Sequence, residues 1–199
     1  MDPARRRPGR PAMVEPGHTR DRILDAATDL FSAHGFEGIS LRDIAAVVKL
    51  DVATVHHHAG SKAELYEAVF KRMFTAEADT LRAAAARAAT EPGTKGLHTL
   101  LDAFLDFLDE HPEVTHLWLR RWLEPAEHRR LDEEYSLPLY DLVEEQLAGE
   151  PHAHQAVRSV VWAVHGHVTA CAALRGAALR SERESFREFA HRMVDALWA

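Results

Sequence analysis

Apolar side chains recur every three or four residues along most of the chain, which is the spacing of an amphipathic α-helix. In the first third of the chain this spacing predicts a helix over residues 19–34, two very short helices over residues 41–48 and 52–58, and a longer helix from about residue 62 to beyond residue 81. The sequence therefore predicts an all-α fold. Isolated helices shorter than about 12 residues are marginal, so both short helices depend on the first helix behind them.

Capping residues stand at the ends of these predicted helices. A small polar side chain at the N-cap accepts a hydrogen bond from a free backbone amide, and an acid three residues later completes a capping box. The predicted N-caps are Thr19, Ser40 with Asp43, Asp51, and Ser61 with Glu64, and the predicted C-terminal stop of the first helix is Gly35.

The two short helices have only Lys49 and Leu50 between them, which is typical of a helix-turn-helix. Leu50 and Val55 are the predicted apolar anchors of the second short helix, so its other side chains face outward. A helix with such a large outer face can lie in the major groove of DNA, which is about 12 Å wide.

Residues 19–70, TRDRILDAATDLFSAHGFEGISLRDIAAVVKLDVATVHHHAGSKAELYEAVF, resemble the N-terminal DNA-binding domain of the tetracycline-repressor (TetR) family. The resemblance implies an all-helical, homodimeric transcription regulator whose C-terminal domain binds a small molecule. The chain departs from the family pattern at three positions, where Lys49 replaces a glycine, His56 replaces a tyrosine and Ala59 replaces a phenylalanine.

By the same resemblance, eight residues are expected to contact DNA. Ser40, Arg42 and Lys62 would meet phosphates, Val52, Ala53 and Thr54 would face bases or the backbone, and His56 and His57 would lie along the groove. A cation at a helix N-terminus also forms an anion site on physical grounds, which supports Lys62.

The charge of the chain is uneven. Its net charge of −7 comes from the later part of the chain, whereas residues 1–20 contain five arginines against two acids. We predict a flexible basic arm over residues 1–18, a helix-turn-helix DNA-binding domain over residues 19–66, and a helical regulatory and dimerisation domain over residues 67–199. The segment RRRPGRP, residues 5–11, either enters a minor groove or is an idle solvated tail.

The second domain is predicted to add five helical elements, which gives about nine helices in all. Thr94 is expected to cap one helix, Pro112 to begin the next and Pro125 to end it, and a further helix is expected over residues 126–147.

The last two predicted helices, over residues 153–179 and 182–198, have the clearest one-sided apolar stripes. A capping box of Ser181 and Glu184 is expected to start the second of them. Such a pair can meet its own copy as a four-helix bundle, so we predict a homodimer through these helices. The alternative is that both stripes complete the core of a single chain.

Aromatic residues of the second domain are candidates for the lining of a cavity that holds a small apolar ligand. The aromatic candidates are Phe104, Phe107, Trp118, Trp122, Tyr140 and Trp162, and the candidate polar anchors are His116, His165 and Thr169. The alternative for each residue is an ordinary core position. No basic cluster accompanies them, which argues against a strongly anionic ligand.

Three histidine-rich segments raise the question of a metal site. They are His56 to His58, His152 with His154, and His165 with His167. Neighbouring residues on a helix point about 100° apart, and residues two apart also diverge, so none of these segments converges on one ion. We expect exposed or capping histidines in the last two segments, and a small core residue at Cys171.

The sequence contains no clear glycine-rich phosphate loop, nucleophile elbow or carboxylate pair in an aromatic cleft, so we predict no enzymatic activity and no cofactor. With one cysteine and no bilayer-length apolar run, the protein is expected to be soluble and cytoplasmic. The favoured function is a ligand-responsive regulator, a repressor, that binds a palindromic double-stranded DNA operator as a homodimer and responds to a small-molecule effector. The alternatives are a histidine-rich metal sensor or helical enzyme, and an architectural protein that binds DNA non-specifically.

Overall fold

The computed structural model describes residues 16–123, 129–147 and 150–198, and all regular elements in these residues are helical. The helices are α1 Pro16–His34, α2 Leu41–Val48, α3 Val52–Ala59, α4 Lys62–Ala88, α5 Lys95–Glu110, α6 Pro112–Leu123, α7 Arg129–Leu131, α8 Leu137–Glu144, α9 Ala153–Cys171 and α10 Gly176–Trp198. A π-helical turn, Asp132–Ser136, joins α7 to α8 without a break, and a 3-10 turn, Glu145–Leu147, ends that segment. The all-α prediction is confirmed. With α7 and α8 counted as one segment, so is the expectation of about nine helices.

Helices α1, α2 and α3 pack on one another and on the first half of α4. Ile23 and Phe31 of α1, Ile44 of α2, Val55 of α3 and Leu65 of α4 are all fully buried in one apolar cluster. The short helices α2 and α3 are therefore held by this shared core, as their length requires.

The predicted caps of α2, α3 and α4 are confirmed. Ser40, Asp51 and Ser61 each accept a hydrogen bond from the backbone amide three residues later, at 3.3, 2.7 and 3.2 Å. Asp43 and Glu64 accept the return bond from the amides of Ser40 and Ser61, at 2.8 and 2.7 Å. These bonds satisfy amides that the start of a helix leaves without an internal partner.

Two predicted helix starts are wrong. Helix α1 begins at Pro16, before the predicted N-cap Thr19, because proline suits the first helical position. Thr94 precedes α5 but makes no cap, because its hydroxyl donates to the Asp195 carboxylate at 2.8 Å. The predicted stop at Gly35 is confirmed, since its φ of 74° is left-handed. Of the predicted arm, residues 1–15 lie outside the described residues.

The boundary between the last two helices also differs from the prediction. Helix α9 ends at Cys171 and α10 begins at Gly176, so the ranges 153–179 and 182–198 are wrong where they meet. Gly176 turns the chain with a φ of 59°, and the side chain of the preceding arginine donates to two carbonyls of the turn. The capping box predicted at Ser181–Glu184 is therefore wrong, because this segment lies inside α10 with both capping side chains exposed.

The second half of the chain surrounds the long helix α4. Helices α5 and α8 pack against α4, α9 packs against α6 and α8, and α10 lies on α5 and α9. Where α5 meets α4, a Cβ on Gly96 would approach the carbonyl oxygen of Ala88 to 2.8 Å, so only glycine allows this close approach. The apolar core is continuous from α1 to α10. No described helix has both the length and the apolar character needed to cross a membrane.

Candidate DNA-binding surface and internal cavity

The face of α3 that points away from the other helices is open to solvent. Val55 anchors α3 from below with no exposed surface, and Leu50 is partly buried in the same cluster, as predicted. The side chains on the open face are Val52, Ala53, His56 and His57, which are exposed, and Thr54, which is half-buried at its edge. Helix α3 thus presents a short outer surface that is free to meet a partner.

The three residues predicted to contact phosphate differ in their present partners. Arg42 is exposed. Ser40 donates its hydroxyl to Asp43 at 2.6 Å inside the capping box, and the Lys62 ammonium lies 4.1 Å from the centre of the Phe36 ring. Arg42 can therefore bind a phosphate directly. Ser40 and Lys62 would bind a phosphate either in addition to their present partners or in place of them.

The turn between α2 and α3 contains one feature that sequence reasoning missed, the Arg22 contact, and one that the replacement of glycine by Lys49 already indicated. Arg22 of α1 donates to the carbonyl oxygen of Val48 at 2.8 Å and so holds the C-terminal end of α2. Lys49 follows in the left-handed conformation, with φ 57° and ψ 46°, where a Cβ costs about 1 kcal/mol or more. The exposed lysine therefore places a positive charge in the turn at a cost in backbone strain.

An internal cavity of about 90 Å³ lies between helices of the second half of the chain. Helices α4, α5, α6, α8, α9 and α10 all contribute to its lining, which is mostly leucine, valine and aromatic side chains. Its main polar groups belong to Glu77, Ser136, Tyr140 and His165. A mostly apolar cavity with a few polar groups is typical of a small-molecule site.

Five of the nine predicted ligand residues line this cavity, namely Phe104, Trp118, Trp122, Tyr140 and His165. The other four lie outside the lining of this cavity. Phe107 is buried against His111, His116 is half-buried outside the lining, Trp162 is 48% exposed, and Thr169 is exposed and donates to a carbonyl of its own helix. Successive side chains on a helix point about 100° apart, so apolar composition alone does not show which of them face the cavity and which face away from it.

Glu77 is the acidic residue of the cavity lining, and sequence reasoning did not identify it. It is 3% exposed, and its Oε2 accepts a hydrogen bond from the Trp118 Nε1–H at 3.2 Å. Burial raises the pKa of this carboxyl to about 7, and the bond from Trp118 offsets part of that rise. The sequence did contain a signal, since Glu77 interrupts the apolar row Val69, Met73 and Leu81, in which every fourth residue faces the core.

His165 is the second buried titratable group of the cavity. Its Nδ1 lies 3.0 Å from the hydroxyl of Thr115, and its ring meets the edges of Phe104 and Trp122. Burial lowers the pKa of the imidazole to about 4. The ring is therefore neutral at neutral pH.

His165 and His167 are both buried, so the prediction of exposed or capping histidines is wrong there. They face different partners, since His167 places its Nε2 3.4 Å from the Cys171 sulfur. The burial of Cys171 and the exposure of His152 and His154 are as predicted. Within the parts of the chain that the structure describes, no group of three His, Cys, Asp or Glu side chains is placed to hold a metal ion.

A row of aromatic rings joins the cavity to α1. Trp118 meets Phe70, Phe70 meets Tyr66 and Tyr66 meets Phe31, with ring centres 5.1, 4.9 and 5.0 Å apart. These edge-to-face contacts form a continuous packed path through α6, α4 and α1.

A second, polar contact also joins α6 to α1. Arg120 of α6 donates from Nε to the carbonyl oxygen of Ser32 at 2.8 Å, and its Nη2 donates to that of Ala33. Both carbonyls belong to the last turn of α1, where no helical partner remains for them. Helix α6 therefore supports one end of the helix against which α2 and α3 pack.

Comparison with known proteins agrees with this geometry. The family model described as "Bacterial regulatory proteins, tetR family" matches residues 23–69. A probable HTH-type transcriptional regulator of Bacillus subtilis, YttP, is 29% identical over 97 residues, which cover 49% of this chain and 47% of that protein. IcaR of Staphylococcus aureus, a negative transcriptional regulator of the biofilm operon icaADBC, is 40% identical over 55 residues, which cover 28% of this chain and 30% of IcaR. The chain thus spans half or less of the length of these curated relatives.

Structural similarity extends much further along the chain. The ketosteroid transcriptional regulator KstR2 of Mycobacterium tuberculosis superposes with a TM-score of 0.71 over 90% of this chain and 95% of that one, at 14% identity. At this identity the match establishes the fold. Residues 23–69 therefore match the tetR family of bacterial regulatory proteins, and the fold of most of the chain is similar to that of a solved transcriptional regulator.

Proposed function

We propose that this protein is a transcriptional regulator, a repressor, that binds a two-fold symmetric DNA operator as a homodimer and releases it when a small molecule enters the internal cavity. The observation that carries the proposal is the outward face of α3, anchored by Val55 and open at Val52, Ala53, His56 and His57. A short exposed helix behind a tight turn is the element that helix-turn-helix proteins place in the major groove.

Exposed apolar side chains on α9 and α10 support a homodimer through these two helices. Trp162 of α9 and Phe189 and Leu197 of α10 are large apolar side chains that are 48%, 51% and 45% exposed. Burying such side chains against a second copy stabilises a dimer by about 25 cal/mol for each Å² removed from water. Two copies of α3 held at a fixed distance would then read two half-sites.

The contacts of α6 offer a physical route from the cavity to DNA. Trp118 lines the cavity and packs on Phe70, while Arg120 of the same helix holds the end of α1. A ligand that enlarges the cavity would displace α6, and this displacement would reach α1 and the attached α2 and α3. Release of DNA requires that the ligand prefer the displaced arrangement, because only differential affinity shifts such an equilibrium.

The decisive experiment is selection of genomic DNA fragments by the full chain, followed by titration of the selected duplex and a scrambled one. A specific regulator is expected to prefer its operator at least about 1,000-fold at physiological salt. Equal affinity for both duplexes would overturn the proposal and favour the architectural alternative.

Matched arginine variants locate the surface. Arg42→Ala is expected to weaken operator binding. It should also reduce the slope of log affinity against log salt concentration by about one, as the loss of one phosphate contact requires. Arg82→Ala removes an exposed arginine from α4 outside the proposed surface and should leave both quantities unchanged. An effect of Arg82→Ala as large as that of Arg42→Ala would contradict the assignment of the surface.

A further inference from the structure

We infer that the cavity takes a small monocationic ligand, an amine or ammonium with a compact apolar body, whose positive centre lies against the Glu77 carboxylate among the surrounding aromatic rings. This inference rests on the proposed function of the cavity as the effector site and adds the chemical class of the effector.

The position of Glu77 is the first reason. Its carboxylate lines an otherwise apolar cavity and is more than nine-tenths buried. The Glu77 carboxylate accepts a hydrogen bond from Trp118. Among the described residues, no lysine or arginine lines the cavity or pairs with this carboxylate. A buried carboxylate without a cationic partner is unfavourable, and a ligand cation would supply the missing charge.

The aromatic lining is the second reason. Phe104, Trp118, Trp122 and Tyr140 line the same cavity as Glu77. The faces of such rings attract cations, and this attraction grows when the site excludes water. A cation already uses the Tyr140 ring in this way, since the Arg158 guanidinium carbon lies 4.7 Å from its centre.

The remaining titratable groups of the cavity do not oppose a cation. His165 from α9 is neutral at neutral pH because burial lowers its pKa to about 4. Tyr140 from α8 is also neutral, because burial raises its pKa above 10.0. Glu77 is therefore the one group of the described lining that acquires charge between pH 6 and pH 8.

The volume limits the size of the ligand. An apolar cavity of about 150 Å³ accepts benzene, so a cavity of about 90 Å³ suits a body of about four or five heavy atoms without movement of the helices. A larger amine would need some of the helices that line the cavity to move apart.

Binding of a cation has a proton signature. With a pKa of about 7, part of Glu77 carries a proton at neutral pH, and a ligand cation would displace that proton into solvent. Affinity for the cation should therefore be about tenfold weaker at pH 6 than at pH 8. A neutral ligand of the same shape should show no such dependence.

The test uses the full chain without DNA and three probes of similar shape, isobutylammonium, isobutanol and isobutyrate. Binding is followed through the indole N–H signals of the tryptophans in two-dimensional NMR, because the Trp118 N–H contacts Glu77 directly. Isobutylammonium is expected to bind at least tenfold more tightly than isobutanol and to shift the Trp118 signal, while isobutyrate is not expected to bind. Cation affinity should fall about tenfold from pH 8 to pH 6.

Two variants complete the test. Glu77→Gln keeps the shape and an acceptor for Trp118, and should bring the affinities for isobutylammonium and isobutanol within about threefold of each other. Glu145→Gln removes an exposed carboxylate outside the described lining and should preserve the preference.

The inference is overturned if isobutanol or isobutyrate binds the unaltered chain as well as the cation, if none of the three binds, or if Glu77→Gln retains the preference. If Glu77→Gln does not fold, the pH series on the unaltered chain decides. A chain that shows the cation preference but no operator selectivity would refute the proposed function and leave this inference standing.

Discussion

The helices of the two halves of the molecule begin in different ways. In the first half, the side chains of Ser40, Asp51 and Ser61 accept the amides three residues later. In the second half, Thr94 before α5 and His152 before α9 make no side-chain cap. Local sequence therefore determines the ends of α2, α3 and α4, whereas the second half depends more on contacts between distant parts of the chain.

Helices α5 and α10 show what replaces local caps. Thr94 bonds to Asp195, and the Arg187 guanidinium lies 2.7 Å from Asp102 and 2.5 Å from Asp106. These contacts join residues that are far apart in the sequence. The difference teaches that the starts of α2, α3 and α4 are set by neighbouring residues, whereas the packing of α5 and α10 depends on contacts between distant residues.

The largest effect is expected where the two halves share one core. Trp118→Ala should lower the free energy of unfolding by about 3–5 kcal/mol, because this ring is 1% exposed and packs between Phe70 and the cavity. Leu123→Ala, on the same helix but 82% exposed, should change it by less than about 0.5 kcal/mol. Urea unfolding followed by circular dichroism and by fluorescence measures both. Two separate transitions in the unaltered chain would contradict a shared core.

The next effect concerns pH and the Glu77 and His165 side chains of the cavity. Folding raises the Glu77 pKa from 4.5 to about 7, so the unfolded chain loses its proton first and the contribution of this group falls as pH rises through that interval. Folding lowers the His165 pKa from 6.5 to about 4, so the unfolded chain binds the proton first and the contribution of His165 rises with pH. The two contributions nearly cancel between pH 4.5 and pH 6.5.

A variant that lacks one of these two titratable side chains shows the pH dependence that the other contributes to stability. Relative to the unaltered chain, Glu77→Gln should gain about 3 kcal/mol of stability as pH rises from 4.5 to 7.5, and His165→Asn should lose about as much from pH 4 to pH 6.5. Urea midpoints across this range provide the measurement. Parallel pH profiles for all three proteins would show that neither group changes its pKa on folding.

A smaller effect distinguishes a local cap from a distant contact. Ser61→Ala and Thr94→Ala should each cost about 1 kcal/mol. Asp195→Ala should abolish the cost of Thr94→Ala and leave that of Ser61→Ala unchanged, because Thr94 bonds to Asp195 and Ser61 does not. Additive effects for Thr94 and Asp195 would mean that their contact contributes nothing.

The smallest effect concerns two residues other than glycine that have a positive φ in the described part of the chain, one in each half. Lys49 has φ 57° and His152 has φ 67°, so Lys49→Gly and His152→Gly should each raise stability by about 0.5 kcal/mol through relief of strain. Lys49→Gly should also weaken operator binding, since it removes a charge beside α3, whereas His152→Gly should not. Equal operator affinity for both variants would exclude a DNA role for Lys49.

The first half could be predicted from sequence because its determinants act over three or four residues. The row of Leu41, Ile44, Ala45 and Val48 and the caps at Ser40 and Asp51 specify α2 and the start of α3 without reference to the rest of the chain. The departure of Lys49 from glycine was also readable, and its left-handed φ follows from that position.

The second half was less predictable, because the same local signals have different outcomes there. Ser181–Glu184 has the form of a capping box yet lies inside α10, because the turn at Gly176 starts that helix earlier. Trp118 and Trp162 are the same residue type, and only the packing of the helices determines that Trp118 lines the cavity and Trp162 faces solvent. Glu77 stands in an apolar stripe of α4, but only the packing of the other helices shows that a cavity lies beside it.

Arg120 limits how the first half of this chain could be recombined with the second half of another protein. The last carbonyls of α1 are satisfied by this side chain from α6, which lies beyond α4 and α5 in the sequence. A chimera that joined helices α1 to α4 to a foreign second half would leave those carbonyls to water and lose this contact between α6 and α1. If α3 reads DNA as proposed above, its specificity is therefore better changed by replacing side chains on α3 than by transplanting the first four helices.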